Sequence, residues 1–436
     1  MELIEILPWE NTKQPHLVKI PGSKSHTQRE LIVSALSQGR STLDNLLECD
    51  DSKVMIGALR KSGVYIDNPN GTYIINSQVD TGFLGDVDVG KAGTSMRFLT
   101  SYFAALGANV ILHGTERMHK RPIEDLVEAL KPILDGEIVA ESINEKGKRC
   151  PPVRIISNGL KGGETKLKGD TSSQYLSSIM MAAPFAYNDI IIDIVGELTS
   201  KPYVDMTIAV MRNHNVHVEN QNYKRFVVQA GQRYEPKKTI IETDASSLSY
   251  VLGAGMLTRT AWGASLAMDL NQSIQGDSKF KDVLHKMSAR ILCDPDYIEL
   301  RGPKVITPIP VIDMNNMPDC VQTLAFIAGF GAGYTRITNV ANLEEKESKR
   351  LTTLHTELGK IGISSEVRPD GIIIYGTNPK NMHSAEIETY EDHRVAMNAA
   401  IAGLVIPGIR IKDPMVTTKS WPTFFEDMGI QYKVIR

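Results

Sequence analysis

Four cysteines among 436 residues are few, and Cys49, Cys150, Cys293 and Cys320 form no CxxC pair and lie far apart in the chain. That spacing excludes a thiolate zinc site and reads as free thiols in a reducing compartment. An excess of charge of one sign is missing too: 48 Lys and Arg against 51 Asp and Glu leave a net charge of -3. A footprint for nucleic acid or a polybasic membrane surface is therefore excluded, and any anion chemistry must use locally gathered cations. No run approaches the roughly 18 apolar residues of a membrane span. Met1-Glu2-Leu3-Ile4-Glu5 is acidic where a secretory signal would be basic. The cytoplasm is the expected location. None of the ten histidines falls into an HExxH or another ligand-spaced cluster, so no metal site is expected. What is present is an ordinary globular composition, 42% hydrophobic and 23% charged, on a chain long enough for more than one domain.

Two glycine-rich stretches fail on inspection. Gly85-Asp86-Val87-Asp88-Val89-Gly90-Lys91-Ala92 ends on alanine where a phosphate loop needs a magnesium-binding hydroxyl, and its two aspartates would repel phosphate. Gly329-Phe330-Gly331-Ala332-Gly333 ends an apolar helix, whereas a dinucleotide fingerprint joins a strand to one.

A different pattern recurs. Pro21-Gly22-Ser23-Lys24-Ser25-His26-Thr27-Gln28-Arg29 opens onto the apolar run Leu31 to Leu36, a small, hydroxyl-rich, basic helix start of the kind that binds anions. Comparable openings follow at Thr94, Thr171, Ala245, Pro318 and Asp392, and counted from Ser23 the steps are 71, 77, 74, 73 and 74 residues. The chain is thus a sixfold repeat. The first helix of each repeat is apolar nearly all round, as in Ser178-Ile179-Met180-Met181-Ala182-Ala183, and must be buried. A second, more polar helix follows, expected over 51–62, 121–134, 201–213, 277–289, 346–360 and 421–428, with short β runs between.

Each repeat reads as strand, buried helix, strand, amphipathic helix, strands. The class is α/β, with three repeats per domain, helices inside and sheets outside. The break lies in the polar stretch Tyr234 to Thr239, and residues 1–20 hold strand-like runs without a local partner. If these belong with repeats four to six, one domain is 1–20 plus 240–436, and 21–239 is inserted into it. Cations collect at the helix openings: Lys24, Arg29, Arg97, Arg121, Lys346, Arg350 and Arg394. Lys346 and Arg350, four apart, are expected to share a helix face. Openings from both domains would surround one polyanionic ligand, with charge-assisted hydrogen bonds of about 1.5–3 kcal/mol dominating affinity.

Pro21 to Ser25 with Arg29, Ala92 to Arg97, Arg121-Pro122-Ile123, Ser172-Ser173-Gln174, Ser200-Lys201-Pro202-Tyr203, Pro318-Asp319, Lys346 to Arg350, Asp392-His393-Arg394 and Lys419 closely resemble the 5-enolpyruvylshikimate-3-phosphate synthase family, along essentially the whole chain. The resemblance implies two inside-out α/β domains of three βαβαββ units each. It implies transfer of the enolpyruvyl group of phosphoenolpyruvate to the 5-hydroxyl of shikimate 3-phosphate with release of phosphate, without metal or organic cofactor, by a monomer. By the same resemblance Lys24, Ser25, Arg29, Ser172, Ser173, Gln174, Ser200, Tyr203, Asp319, Asn342 and Lys346 hold shikimate 3-phosphate. Lys24, Gly93, Arg121, Gln174, Arg350, Arg394 and Lys419 hold phosphoenolpyruvate. Asp319 matches the general base and Glu347 the acid that protonates the methylene carbon, with Lys24 the other candidate for that proton.

This chain has Lys91 where the family usually has Asn, and Phe98 where it usually has Pro; Gly93 is the residue of members sensitive to the inhibitor glyphosate. The UDP-N-acetylglucosamine enolpyruvyl transferases are the nearest alternative. They normally carry a mobile-loop cysteine, which the stretch from His113 to Pro122 lacks, and they lack the Ser-Ser-Gln site. An RNA 3′-phosphate cyclase or a non-catalytic anion-binding repeat protein would need other signatures.

Overall fold

In the computed structural model the described residues are 2–10, 14–77 and 82–435; Met1 and Arg436, the ends of the expected outer domain, lie outside them. Among the described residues six four-stranded sheets share one topology. The sheet of repeat two shows it. Leu84–Asp88 and Asn109–His113 run parallel, because the helix Gly93–Ala105 between them forces a crossover. Asn109–His113 is antiparallel to Arg149–Leu160, which is antiparallel to Leu134–Ile143. Along Ile190–Val195 in repeat three, Ile190, Ile192 and Ile194 alternate inward, so each sheet buries one face.

The chain divides into two compact units, one of residues 1–23 and 242–436 and one of residues 24–241. In the second unit, Lys238–Ile240 pairs in parallel with Gly39–Asp44 and supplies the first strand of repeat one. This pairing keeps the segment in that unit beyond the polar stretch. In the first unit, His16–Val18 opens the sheet of repeat four beside Ala261–Ser265. Leu3–Ile6 lies between Arg410–Lys412 and Tyr432–Ile435 in the sheet of repeat six. The N-terminal strands therefore open one repeat and complete another.

The first helices are enclosed. Twelve of the thirteen residues of Gly93–Ala105 are buried, and all eleven of His393–Gly403 and all nine of Val321–Gly329, as their lack of a polar face requires. In the first unit, Ala245–Thr258, Val321–Gly329 and His393–Gly403 pack on one another. They meet at Gly253, where a Cβ would stand 2.9 Å from Ile401 Cδ1 and 3.0 Å from Thr323 Cγ2. In the second unit, Gly93–Ala105 packs on both Lys24–Leu36 and Ser173–Ala182.

Of the second helices, Lys201–Asn213 and Asp50–Lys61 keep the expected length, and the other four are shorter. Arg350–Lys360 buries Leu351, Leu354 and Leu358 on one stripe. It does not begin at Lys346. Residues 346–349 are non-helical, so Lys346 and Arg350 share no helix face, contrary to the spacing argument. Glu124–Leu130 starts after Pro122 and gives way to a 3-10 turn, Lys131–Ile133, that contains Pro132. The last second helix shrinks to Phe424–Asp427.

Candidate active site

Arg350 is the centre of a buried charge cluster in the first unit. It is 2% exposed and begins the helix Arg350–Lys360. Its Nε donates to Asp392 Oδ2 at 2.9 Å, its Nη1 to Asp319 Oδ1 at 3.1 Å and its Nη2 to Glu347 Oε2 at 2.9 Å. Burial alone would weaken the guanidinium's hold on its proton. Asp392, Glu347 and Asp319 outweigh that and move it above the ordinary arginine value.

Arg394 joins from the start of His393–Gly403. Its Nη2 is 2.7 Å from Asp319 Oδ2, and its Nη1 donates to Tyr250 Oη and to the Asp319 carbonyl, both at 3.0 Å. Lys419 ends the 3-10 turn Pro414–Lys419 with Nζ 3.6 Å from Glu347 Oε1. Asp319 stands in the one-turn helix Pro318–Cys320, and its side chain keeps 21% of its surface exposed. Asp277 is buried and accepts from Ser246 Oγ; burial, then the charge of Asp319, pushes its carboxyl up to about 7.

The second unit carries its own cluster. Lys24, the first residue of Lys24–Leu36, places Nζ 3.6 Å from Asp51 Oδ2. Gln28 Nε2 donates to the Asp51 carbonyl at 3.0 Å, fixing that turn against the same helix. Arg29 is 1% exposed. Its Nε donates to Thr207 Oγ1 at 2.7 Å, its Nη1 to the Ser25 carbonyl at 2.8 Å and its Nη2 to the Tyr203 carbonyl at 3.0 Å and Ser177 Oγ at 3.5 Å. With neutral partners, burial brings it down to about 10. The ring of Phe98 lies 5.3 Å below its Cζ.

Gly93 opens its helix without a Cβ because two guanidiniums crowd it. A Cβ there would meet Arg97 Nη1 at 2.5 Å and Arg121 Cζ at 2.7 Å. Arg97 donates to the Gly93 carbonyl at 2.8 Å and the Pro122 carbonyl at 3.2 Å. Ser172 caps Ser173–Ala182 by accepting from the Gln174 amide, and Gln174 Nε2 donates to Thr94 Oγ1 at 3.1 Å.

A family model described as EPSP synthase (3-phosphoshikimate 1-carboxyvinyltransferase) matches residues 11–428. The chain belongs to the EPSP synthase family. A 3-phosphoshikimate 1-carboxyvinyltransferase of Marinomonas sp. (strain MWYL1) is 41% identical over 416 residues, covering 94% of this chain and 95% of that protein. A chloroplastic 3-phosphoshikimate 1-carboxyvinyltransferase of Solanum lycopersicum is 40% identical over 432 residues, covering 94% and 81%. A solved EPSP synthase from Acinetobacter baumannii shares the fold, with a TM-score of 0.80 at 24% identity over 100% of both chains.

Of the residues that the family resemblance singled out, Asp319, Glu347, Arg350, Arg394 and Lys419 form one linked group. Asn342 and Lys346 stand just before it, in and after the 3-10 turn Ala341–Glu345, and Asn342 Oδ1 is buried with no hydrogen-bond partner among the described residues. In the second unit, Ser25, Arg29 and Tyr203 are joined through Arg29, and Gly93 adjoins Arg121. Ser173 opens its helix next to Ser172, and Ser200 precedes Lys201–Asn213 in a left-handed conformation, φ 54°, without a side-chain capping bond. Asp51, Asp277, Ser348 and Tyr250 were not found by sequence reasoning. Each is a single polar residue, and its partner lies on a distant segment. Lys91, the departure from the family pattern, is exposed, whereas Phe98 is buried. Among the described residues no helix is long and apolar enough to cross a membrane, and no group of His, Cys, Asp and Glu could hold a metal ion.

Proposed function

We propose that this chain transfers the enolpyruvyl group of phosphoenolpyruvate to the 5-hydroxyl of shikimate 3-phosphate, in two inside-out α/β domains bounded near 20 and 240, as a cytoplasmic monomer. The observation that carries the reading is the Arg350 fork, which holds one carboxylate on each outward nitrogen: Asp319 on Nη1 and Glu347 on Nη2. The reaction needs such a pair, a base for the hydroxyl proton and an acid for the methylene carbon.

Asp319 takes the proton of the 5-hydroxyl as its oxygen attacks C2 of phosphoenolpyruvate, and Glu347 delivers a proton to C3. A tetrahedral ketal results. Loss of phosphate from C2 with return of the C3 proton to Glu347 regenerates the vinyl group, and Asp319 gives up its proton to the leaving phosphate. Two guanidiniums beside Asp319 stabilise negative charge on it, and Lys419 beside Glu347 does the same for the acid once it has spent its proton. Arg350, Arg394, Lys419, Arg121 and Lys24 supply the positive charge for the carboxylate and phosphate of phosphoenolpyruvate. Ser25, Arg29, Ser172, Ser173, Gln174, Ser200, Tyr203, Asn342 and Lys346 hold shikimate 3-phosphate.

The assay is release of phosphate from phosphoenolpyruvate that depends on shikimate 3-phosphate. Turnover in the wild type and its loss in Asp319→Ala are expected; no turnover in the wild type refutes the reading.

A further inference from the structure

Asp392 is the one carboxylate of the Arg350 cluster that the reaction leaves without a part. It is fully buried at the start of His393–Gly403, and its two oxygens do different work. Oδ1 accepts from the Arg394 amide at 3.0 Å and caps the helix. Oδ2 accepts from Arg350 Nε and Ser348 Oγ, each at 2.9 Å. The guanidinium is a rigid planar fork, so fixing Nε fixes the plane in which Nη1 and Nη2 lie. Those two nitrogens hold Asp319 and Glu347.

The structure assigns Asp392 as the positioning residue that, through Arg350, sets the separation and orientation of the base and the acid. Resting on the proposed reaction, this adds to it a group on the far side of the fork from the chemistry. Capping alone does not account for the arrangement. A cap needs one acceptor oxygen, and Ser, Thr or Asn would serve as well. The second oxygen is spent on the side chains of the segment that carries the acid, with Ser348 next to Glu347 in sequence and Arg350 three residues beyond it. One residue thus ties the start of a buried helix to the Glu347 segment and, through the fork, to Asp319.

Asp392→Asn separates the two jobs. Its amide oxygen can still accept from the Arg394 amide, which leaves the amide NH2 facing Arg350 Nε, donor against donor, while the Ser348 hydroxyl can turn to accept. Normalised to folded protein by active-site titration, kcat is expected to fall at least a hundredfold, in line with the cost of about 1 Å of misplacement of reacting groups. KM for shikimate 3-phosphate should stay within about threefold, because most groups proposed to bind it stand on other segments. Wash-in of solvent deuterium at the methylene carbon of phosphoenolpyruvate, which reports the acid, should fall by a similar factor. A merely structural role would lower the folded fraction and leave these per-site ratios unchanged.

Ser348→Ala removes one contact to Oδ2 and is the milder variant, expected to lower kcat about three- to tenfold with the same KM pattern. Per-site kcat within threefold of wild type in Asp392→Asn overturns the assignment. Should that variant not fold, unchanged kcat in Ser348→Ala overturns it. A wild type without turnover would instead refute the proposed reaction, so the two failures are distinguishable.

Discussion

Replacing Gly93 by alanine should weaken phosphoenolpyruvate binding selectively. The added Cβ would lie 2.5 Å from Arg97 Nη1 and 2.7 Å from Arg121 Cζ, with Arg121 Nη1 closer still. Non-bonded carbon contacts settle near about 3.5–4.0 Å, so one guanidinium must withdraw by roughly 1 Å. Arg121 stands nearest the added Cβ, with both its Nη1 and its Cζ inside contact distance, so it is the guanidinium that must shift most. Loss of one charge-assisted hydrogen bond from Arg121 to the ligand costs about 1.5–3 kcal/mol. That converts to a rise of roughly 10- to 150-fold in KM for phosphoenolpyruvate. KM for shikimate 3-phosphate should change by less than about threefold, since its proposed ligands begin other helices. Phosphate release measured with each substrate varied in turn gives both constants. Gly57→Ala is the control, because a Cβ at Gly57 meets nothing within 4 Å. An unchanged KM for phosphoenolpyruvate in Gly93→Ala, or equal rises in both constants, would show that Arg121 does not bind this substrate from its place beside Gly93.

Asp319→Ala and Glu347→Ala should each lower kcat by about 10²–10⁴, and the double variant by less than the product, because both carboxylates share Arg350; multiplicative losses would refute the shared fork. With glycine at 93, phosphoenolpyruvate turnover should be inhibited by glyphosate, and full activity in millimolar inhibitor would count against it. Glu30 is buried, which by itself would raise its carboxyl, but hydrogen bonds with His214 and His26 bring it down to about 2. Its contribution of ~3 kcal/mol is present above the unfolded value near 4.5 and is lost as pH falls toward 2. The stability gap between wild type and Glu30→Gln, read by urea unfolding, should therefore narrow between pH 5 and pH 3; a constant gap contradicts the pairing. Gly253→Ala should cost about 1–3 kcal/mol by forcing Ile401 and Thr323 aside, and an unchanged urea midpoint would show that the three helices can yield there.

The repeat is legible in sequence because each buried helix announces itself twice, by a small or polar opening and by the absence of a polar face. His393–Gly403 and Val321–Gly329 show both signals. The strand pairings within the six sheets are much less legible. Lys238–Ile240 has three residues and pairs with Gly39–Asp44 almost two hundred positions away, and nothing in so short a run names its partner. The same holds for the site. Asp319, Glu347 and Arg350 stand out as chemical types, but Arg350 finds Asp319 at a separation of 31 residues and Asp392 at 42. Local spacing suggested Lys346 beside Arg350 on a helix. Ser348 bonds instead to Asp392, 44 residues on; the chain from 346 to 349 is non-helical and the helix begins at Arg350.

Burying the Arg350 cluster brings little stability of its own, because the desolvation of several charges offsets most of their attraction. Its value must lie in geometry. A helix closed in on all sides places charged groups most readily near its start, where free amides need partners and the core ends. Asp392 and Arg394 stand at such an opening, and Asp319 lies in the one-turn helix leading into Val321–Gly329. Groups placed there are anchored by rigid elements on one side while their far ends remain within reach of a ligand, as the 21% exposure of the Asp319 side chain against 2% for Arg350 shows. The repeat thus supplies anchored positions for charge, and what distinguishes one opening from the next is the pair of residues found there. Where the opening carries Asp392, one oxygen satisfies the helix and the other directs Arg350, so a residue needed for the fold also orders the groups proposed for the chemistry.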